Sequence, residues 1–538
     1  MLGRLALVAL SLVTFNYAHL SQLDDQSPLR VEPPAKRIAI VGAGTAGVSV
    51  LKTLLVDLPE YATQRWEVVL YEQRRDVGGV WLPDLNPPHP PELPETPLYA
   101  RLVTNTPHPT MTHPQFPFRP GTPLYPHHPH VQQYHTDLIN NWNLSSHLRL
   151  NHEVVEVQWI GTPESGRWTV KVKDILRNEY LDSEFDHLII ANGHNHFPFE
   201  PEIEGKDAWV KSAVNRSTLH SIFYRDPQSF TGQNVLVVGG GASGRDIAQQ
   251  IVQFANSTYA SVRERVGNPS APPFPVIPGA VTKPGIRWFT QDAIVFEDNT
   301  TLTHIDTVIF GTGYEQRIPF LTEGGHLSLL PECPTGPQAH LTTNLRYVRP
   351  VYEHVLSLDT SYPVGSLYFI GLPIFVANAI SDYAQALFTA HTIADPSLLL
   401  SREEFFDDLL HEEARLRADG LDPGYVGHRI VGEGGATGYQ NRLVGYLQAR
   451  GLAGQPGIPR GRPFTDPWRS EYQGEYLRRG WTRVEERGEE FVREWLEGIE
   501  TEQQWVDMMA RLTEWEKQHE EEEGTYDPHA QAYSVPEI

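Results

Sequence analysis

Short, unbroken apolar runs alternate with stretches of helical spacing over most of the chain. "RIAIV" (37 to 41) is an apolar strand that passes through glycines into "TAGVSVLKTLL", where apolar positions recur every three or four residues. "EVVLYEQ" (67 to 73) is a second strand, carrying Glu72 near its end. The order recurs downstream: "NVLVVGGGASGRDIAQQIVQFA" from 234, then "YASVRER" from 259. Two units of strand, glycine turn, helix and strand predict an α/β chain with two Rossmann-like modules. Three further apolar runs, "HLIIANG" (187 to 193), "TVIFGTGY" (307 to 314) and "LYFIGLP" (367 to 373), read as strands entering ligand-facing turns.

Two regions break this pattern. Residues 83 to 129 hold 15 of the 44 prolines, a density that forbids long helices and central strands, so an ordered cover or a loose loop is expected there. Near the end, Trp505, Met508, Met509, Leu512 and Trp515 at helical spacing predict amphipathic helices before the acidic run Glu520 to Glu523. From 481 to 538 there are 17 acidic against 5 basic residues; the reading favoured is a solvated helical appendage, with catalysis elsewhere.

Composition narrows the classes. A net charge of -24 argues against nucleic acid, which requires a basic footprint. Arg4, the apolar stretch Leu5 to Val13 and a small-residue site at Ala18 predict a secretory signal over 1 to 18, with a retained anchor as the alternative; the stretch is too short for an ordinary membrane span. Sequons at Asn143, Asn215, Asn256 and Asn299 fit that route, implying a glycoprotein. Cys333 is the single cysteine, which excludes dithiol redox chemistry. His127, His128, His130 and His135 cluster in "YPHHPHVQQYH", but prolines interrupt them and no carboxylate or thiolate shares the cluster, so no metal is expected.

Both glycine turns have the residue types a dinucleotide needs. In "GAGTAG", Gly42 permits the tight turn, Gly44 lets main-chain N–H groups approach a pyrophosphate, and Gly47 lets the helix pack on the strand. Glu72 is placed to accept from ribose hydroxyls. Gly239, Gly241 and Gly244 repeat the first three roles, with Ser243 between them. No acid ends the following strand, while Arg263 and Arg265 stand nearby, and a guanidinium suits a ribose 2′-phosphate, which favours NADPH over NADH.

With these residues in place, "YEQRRDVGGVW" (71 to 81) resembles the acid, double-glycine and tryptophan signature of flavin-containing monooxygenases and related FAD enzymes. The resemblance implies FAD, with Glu72 on the adenosine ribose, Gly78 and Gly79 beside the pyrophosphate, and Trp81 closing the motif. "LVTNTPHPTM" (102 to 111) resembles the family's Asn-bearing loop, which implies that Asn105 lies near the isoalloxazine and nicotinamide as a neutral donor to reacting oxygen. "VVGGGASGRDIA" resembles the family's NADPH motif. "HSIFYR" (220 to 225) resembles its identifying segment through His220 and Tyr224, although Val214 and Arg216 stand where an aromatic and a glycine are expected. "FVANAISDYAQALFTA" (375 to 390) resembles its late helix, with Gln385 as a further cofactor contact.

The resemblance spans roughly residues 36 to 390. It implies a first FAD-binding part over 36 to 210, an inserted NADPH-binding domain over 211 to 310, a second FAD-binding part over 311 to 400, and a mainly helical acidic extension over 401 to 538. The implied activity takes hydride from NADPH and oxygen from dioxygen, through a flavin 4a-hydroperoxide, to oxygenate nitrogen or sulfur in a small molecule or peptide, as in secondary metabolism. Baeyer–Villiger oxygenation, N-hydroxylation and a non-catalytic flavoprotein remain as alternatives.

Overall fold

A computed structural model describes residues 36–58, 65–114, 116–263, 276–332, 339–432, 434–472 and 474–525. The N-terminal segment read as a signal, Arg265 and Cys333 lie outside these residues.

Strand β1 (Lys36–Val41) shows why the apolar runs are unbroken. Ile38 and Ile40 enter one core cluster while Ala39 and Val41 enter another, so both faces of the strand are covered. The chain turns into helix α1 (Thr45–Lys52), returns as β2 (Trp66–Glu72), crosses the proline-rich segment, and forms helix α2 (His128–Asn141), edge strand β3 (Leu148–Leu150) and, after an antiparallel meander over 152 to 185, β4 (His187–Ile190). β1 pairs in parallel with β2 and β4, with Ile40 opposite Leu70 and Ile189.

A second sheet follows: β5 (Ser217–His220), β6 (Asn234–Val238), helix α3 (Ala242–Ile251), β7 (Ser257–Ser261), β8 (Ala280–Lys283) and β9 (Thr307–Phe310). It is wholly parallel, in the order β8-β7-β6-β9-β5. The chain then completes the first sheet with β10 (Val351–Tyr352), β11 (Leu356–Ser357) and β12 (Leu367–Phe369), giving β10-β11-β12-β4-β1-β2-β3. The second sheet is therefore inserted within the first, as expected. Helix α4 (Asn378–Ala394) packs on α1, and helices α5 (Arg402–Ala418) and α6 (Gly435–Leu447) add Phe405, Leu409, Tyr439 and Leu443 to the same core.

The last helices are α7 (Glu475–Glu486), α8 (Glu489–Leu496) and α9 (Glu502–Glu523). They differ from the solvated appendage expected. Leu477, Trp481, Val484, Met508, Met509 and Leu512 form one buried cluster with Leu124 and Tyr125 of the proline-rich segment. Two acids of α9 turn inward, Glu520 buried against Arg479 at 2.7 Å and Glu516 against Arg483 at 3.0 Å, while Glu521 to Glu523 stay exposed as expected. Amphipathic spacing foretold the helices, but the partner surface is 350 residues away in sequence and carried no periodic signal of its own.

The proline-rich segment is an ordered cover. Its described part contains one four-residue helix, His108–Met111, and it buries Leu98, Tyr99, Thr104, His108 and Thr110. The four sequon asparagines are exposed. No helix among the described residues is long and apolar enough to cross a membrane.

Candidate functional site: two glycine cradles and the loop between them

The two glycine turns are built alike. Gly42 has φ +105° and Gly239 φ +114°, which favours glycine. A Cβ on Gly42 would lie 2.4 Å from the Ala191 carbonyl oxygen, and one on Gly239 would lie 2.3 Å from that of Gly311. The helix behind each turn is equally tight: a Cβ on Gly47 would meet the Gly42 oxygen at 1.8 Å, and one on Gly244 the Gly239 oxygen at 2.1 Å. Gly44 and Gly241, both extended, sit at the N-caps of α1 and α3 and contribute no side chain. Each cradle thus presents main-chain N–H groups and the positive end of a helix to an incoming phosphate. The residues present fit two dinucleotides.

Glu72 ends β2 and is buried, its carboxylate accepting from the N–H of Ala43 at 2.7 Å and of Arg74 at 2.8 Å. Burial pushes its pKa up, against these two donors. Each oxygen retains a lone pair for a ribose hydroxyl. Gly78 donates its N–H to the Ala43 carbonyl at 2.9 Å, and a Cβ on Gly79 would be 2.9 Å from Gly44 Cα, so the double-glycine loop lies directly on the first cradle. Trp81 packs half-buried against the first core.

Residues to which the motifs gave no role hold this site together. Arg74, buried, donates to the Gly79 carbonyl at 2.8 Å and to Glu95 at 2.8 Å, and reaches Asp84 at 3.3 Å. His135 faces the Val131 carbonyl through Nδ1 at 2.7 Å and the Thr45 hydroxyl through Nε2 at 2.9 Å. The carbonyl fixes the proton on Nδ1, and burial lowers the pKa to about 4, so the ring is neutral at pH 7. It orients Thr45 at the start of α1; among the described residues no group of three His, Cys, Asp or Glu stands close enough to hold a metal ion.

The second cradle is more open. Gly241 is exposed with nothing within 4 Å of a Cβ built on it, and Ser243 is half-buried in the first turn of α3. Arg263 is exposed two residues beyond β7, where Glu72 has no counterpart.

Asn105 lies on an exposed bend, and its amide makes no hydrogen bond to another described residue. Its neighbours are pinned. Thr104 donates its N–H to the Pro126 carbonyl at 3.0 Å, and the Thr104 carbonyl accepts from Arg478 of α7 at 3.3 Å. His108 meets Trp505 of α9 edge-on at 4.5 Å between ring centres, and Arg469 donates to the Pro109 carbonyl at 2.9 Å. The loop is therefore clamped from the far end of the chain. On its other side the Tyr99 hydroxyl donates to Asp246 of α3, and the Tyr99 ring meets Tyr224 edge-on at 5.0 Å. Asn105 thus lies on the segment that joins the first cradle to the helix of the second.

Two expected cofactor contacts face inward. His220 accepts the Ile222 N–H at Nδ1 (3.1 Å) and donates from Nε2 to the Gly313 carbonyl (3.0 Å), so both ring nitrogens are used. Burial lowers its pKa to about 4, and the neutral ring ties β5 to the turn after β9. Gln385 is fully buried, accepts the Gly371 N–H at 2.8 Å, and donates to the His354 carbonyl at 3.2 Å and the Tyr439 hydroxyl at 2.8 Å. With both amide hydrogens committed, it braces the turn after β12. In "HSIFYR" the structure gives Arg225 a role that the spacing left unread: it donates to the Thr96 carbonyl at 3.3 Å, joining the second sheet to the proline-rich segment.

Comparison with known proteins follows this geometry. The Flavin-binding monooxygenase-like family matches residues 35–268 and 263–328. The chain is 28% identical over 471 residues to the flavin-containing monooxygenase FMO GS-OX5 of Arabidopsis thaliana, covering 84% of this chain and 91% of that protein. It is 30% identical over 324 residues to the thiol-specific monooxygenase of Saccharomyces cerevisiae, covering 60% and 69%. The S-allyl-L-cysteine S-oxygenase of Allium sativum shares the fold, with a TM-score of 0.66 at 22% identity over 89% of this chain and 99% of that one.

Proposed function

The chain belongs to the flavin-binding monooxygenase-like family, whose cofactors are FAD and NADPH, and from that premise we propose that it oxygenates a sulfur or nitrogen atom of a small molecule. The names of its relatives, a thiol-specific monooxygenase and an S-oxygenase among them, favour sulfur. The observation that supports the reading is Asn105 itself: an exposed amide with no hydrogen bond to another described residue, on a segment held by Arg478 at Thr104 and tied to α3 through Tyr99 and Asp246.

FAD, when bound, would supply the redox chemistry between NADPH and dioxygen. The chain does the rest. Main-chain N–H groups at the start of α1 would hold the FAD pyrophosphate and Glu72 would accept from its ribose, while Arg74 fixes the Gly78–Gly79 loop against the cradle. The start of α3 would hold the NADPH pyrophosphate, and Arg263 would meet the 2′-phosphate. Asn105 donates its amide to oxygen as negative charge develops there, a neutral donor with no proton to lose. The proline-rich segment, fixed by the helices packed on Leu124 and Tyr125, would hold the Asn105 loop in place over a bound cofactor. No nucleophile or carboxylate pair is needed, since the reactive oxygen comes with the cofactor.

The test is NADPH-dependent oxygen uptake by purified protein against sulfides, thiols, amines and ketones, with product mass measured. A gain of one oxygen atom on a sulfide or thiol supports sulfur oxygenation. Turnover of ketones alone moves the reading to Baeyer–Villiger chemistry, and colourless protein inert to NADPH removes it. The secretory leader belongs to the same proposal; it rests on residues 1 to 18 and the four sequons, and N-terminal sequencing of the purified protein tests it.

A further inference from the structure

Eight acidic side chains are buried among the described residues, and seven are satisfied. Glu413 meets Arg349 at 2.5 Å, Asp57 meets Lys52 at 2.6 Å, and Glu72 accepts two main-chain N–H groups. Asp359 likewise accepts from the N–H of Leu341 and Ser361. Asp382 is the exception: 3% exposed, it makes no hydrogen bond or ion pair with another described residue. A buried polar group without a partner costs free energy, and such groups in folded proteins are nearly always satisfied.

Its location says what satisfies it. Asp382 sits in the second turn of α4, and that helix packs against α1, the helix of the first cradle. A Cβ built on Gly371, the turn residue after β12, would lie 3.1 Å from Ala46 Cβ and 3.6 Å from Asp382 Oδ1. The carboxyl group therefore stands at the flank of the first cradle, beside the first turn of α1, where only glycine at 371 avoids crowding Ala46. One turn further along α4, Gln385 is committed to internal partners, so it cannot pair with Asp382. Burial raises the Asp382 pKa to about 8, with no charged neighbour offsetting it. At neutral pH the group holds its proton and offers one donor and one acceptor without placing negative charge beside a phosphate.

We propose that Asp382 is a direct contact of the flavin cofactor, its carboxyl hydrogen-bonded to the hydroxyl-bearing chain and pyrophosphate of FAD on the side of the cradle bounded by Gly371 and Ala46. The proposal rests on the reading of the first cradle as the FAD site. It gives the one unpaired buried acid a partner that arrives only with the cofactor, so Asp382 weakens the flavin-free chain and strengthens the loaded one.

The test uses the full chain stripped of flavin and titrated with FAD, followed by flavin fluorescence, alongside thermal unfolding with and without FAD. Asp382→Asn, which keeps one donor and one acceptor, is expected to hold FAD within about threefold of wild type, while Asp382→Leu and Asp382→Ala lose about tenfold in affinity. Asp382→Leu should also raise the melting temperature of the flavin-free chain while shrinking the rise that FAD produces. If Asp382→Leu does not fold, Asp382→Ala supplies the same comparison. FAD affinity equal to wild type in the truncating variants overturns the proposal while leaving the family reading intact; wild-type protein that binds no FAD overturns both.

Discussion

The two glycine cradles share a backbone plan and differ in their cover. Gly42 and Gly239 close onto neighbouring carbonyls at 2.4 and 2.3 Å, and Gly47 and Gly244 seat their helices almost identically. Above the first cradle lies the Gly78–Gly79 loop, tied down by Arg74. The second has exposed Gly241 with nothing within 4 Å. A cofactor that stays through many turnovers is enclosed, whereas one that is consumed each turnover needs a way out. The same local geometry thus serves retention in one place and exchange in the other, and the difference comes from segments remote in sequence.

The largest effect expected is also the cleanest break between the cradles. Gly42→Ala forces a Cβ against the Ala191 carbonyl and should yield colourless protein; Gly239→Ala should leave full flavin absorbance but lower NADPH oxidation about 100-fold or more, given the strain of a few kcal/mol at each site. Equal flavin loss in both variants would remove the distinction. Next is the loop between them: Asn105→Ala should shift turnover from product to hydrogen peroxide by about 100-fold in the product-to-peroxide ratio, the usual size of losing one preorganised donor. Unchanged coupling counts against its role.

Smaller changes sharpen the picture. Arg263→Gln should lower the preference for NADPH over NADH about tenfold, measured as the ratio of kcat/KM values, because one charge-assisted contact is lost. Trp505→Ala removes the edge contact on His108, worth about 1 kcal/mol, and should raise peroxide leakage severalfold with flavin content unchanged. A leak equal to wild type would show that the C-terminal clamp does not reach Asn105. The smallest is a pH effect. His220 is held neutral with its pKa lowered to about 4, so its contribution to stability is complete above the ordinary histidine value near 6.5 and is lost as pH falls through 4. Melting temperature should therefore drop across that window, and less so in His220→Gln.

Legibility followed the range of the interaction. The cradles were readable because their glycines, strands and helices lie within 40 residues, and the steric reason for each glycine acts over one turn. Gln385 and His220 sit in matching motifs, but their partners, Tyr439 and Gly313, lie elsewhere in the chain, and those partners turn both side chains inward. Arg74 and His135 lie inside stretches the sequence marked, but nothing there gave them a role, since an arginine after a strand and a histidine in a helix are ordinary until Gly79 and Thr45 come within reach. The acidic end was read correctly as charged and exposed over most of its length, but its docking was not legible: only the folded chain brings Leu124 and Tyr125 onto its apolar face and Arg479 and Arg483 over Glu520 and Glu516.

By itself the sequence determined two parallel α/β units, the position of each phosphate turn, the absence of dithiol chemistry and the helical character of the last segment, all consequences of local periodicity and residue type. The tertiary structure alone decided which cradle is covered, that the distant C-terminal helices clamp the Asn105 loop, and that Asp382 is buried beside the first cradle without a partner. Burial and pairing depend on which surfaces meet, and residues hundreds of positions apart leave no periodic trace of that meeting along the chain.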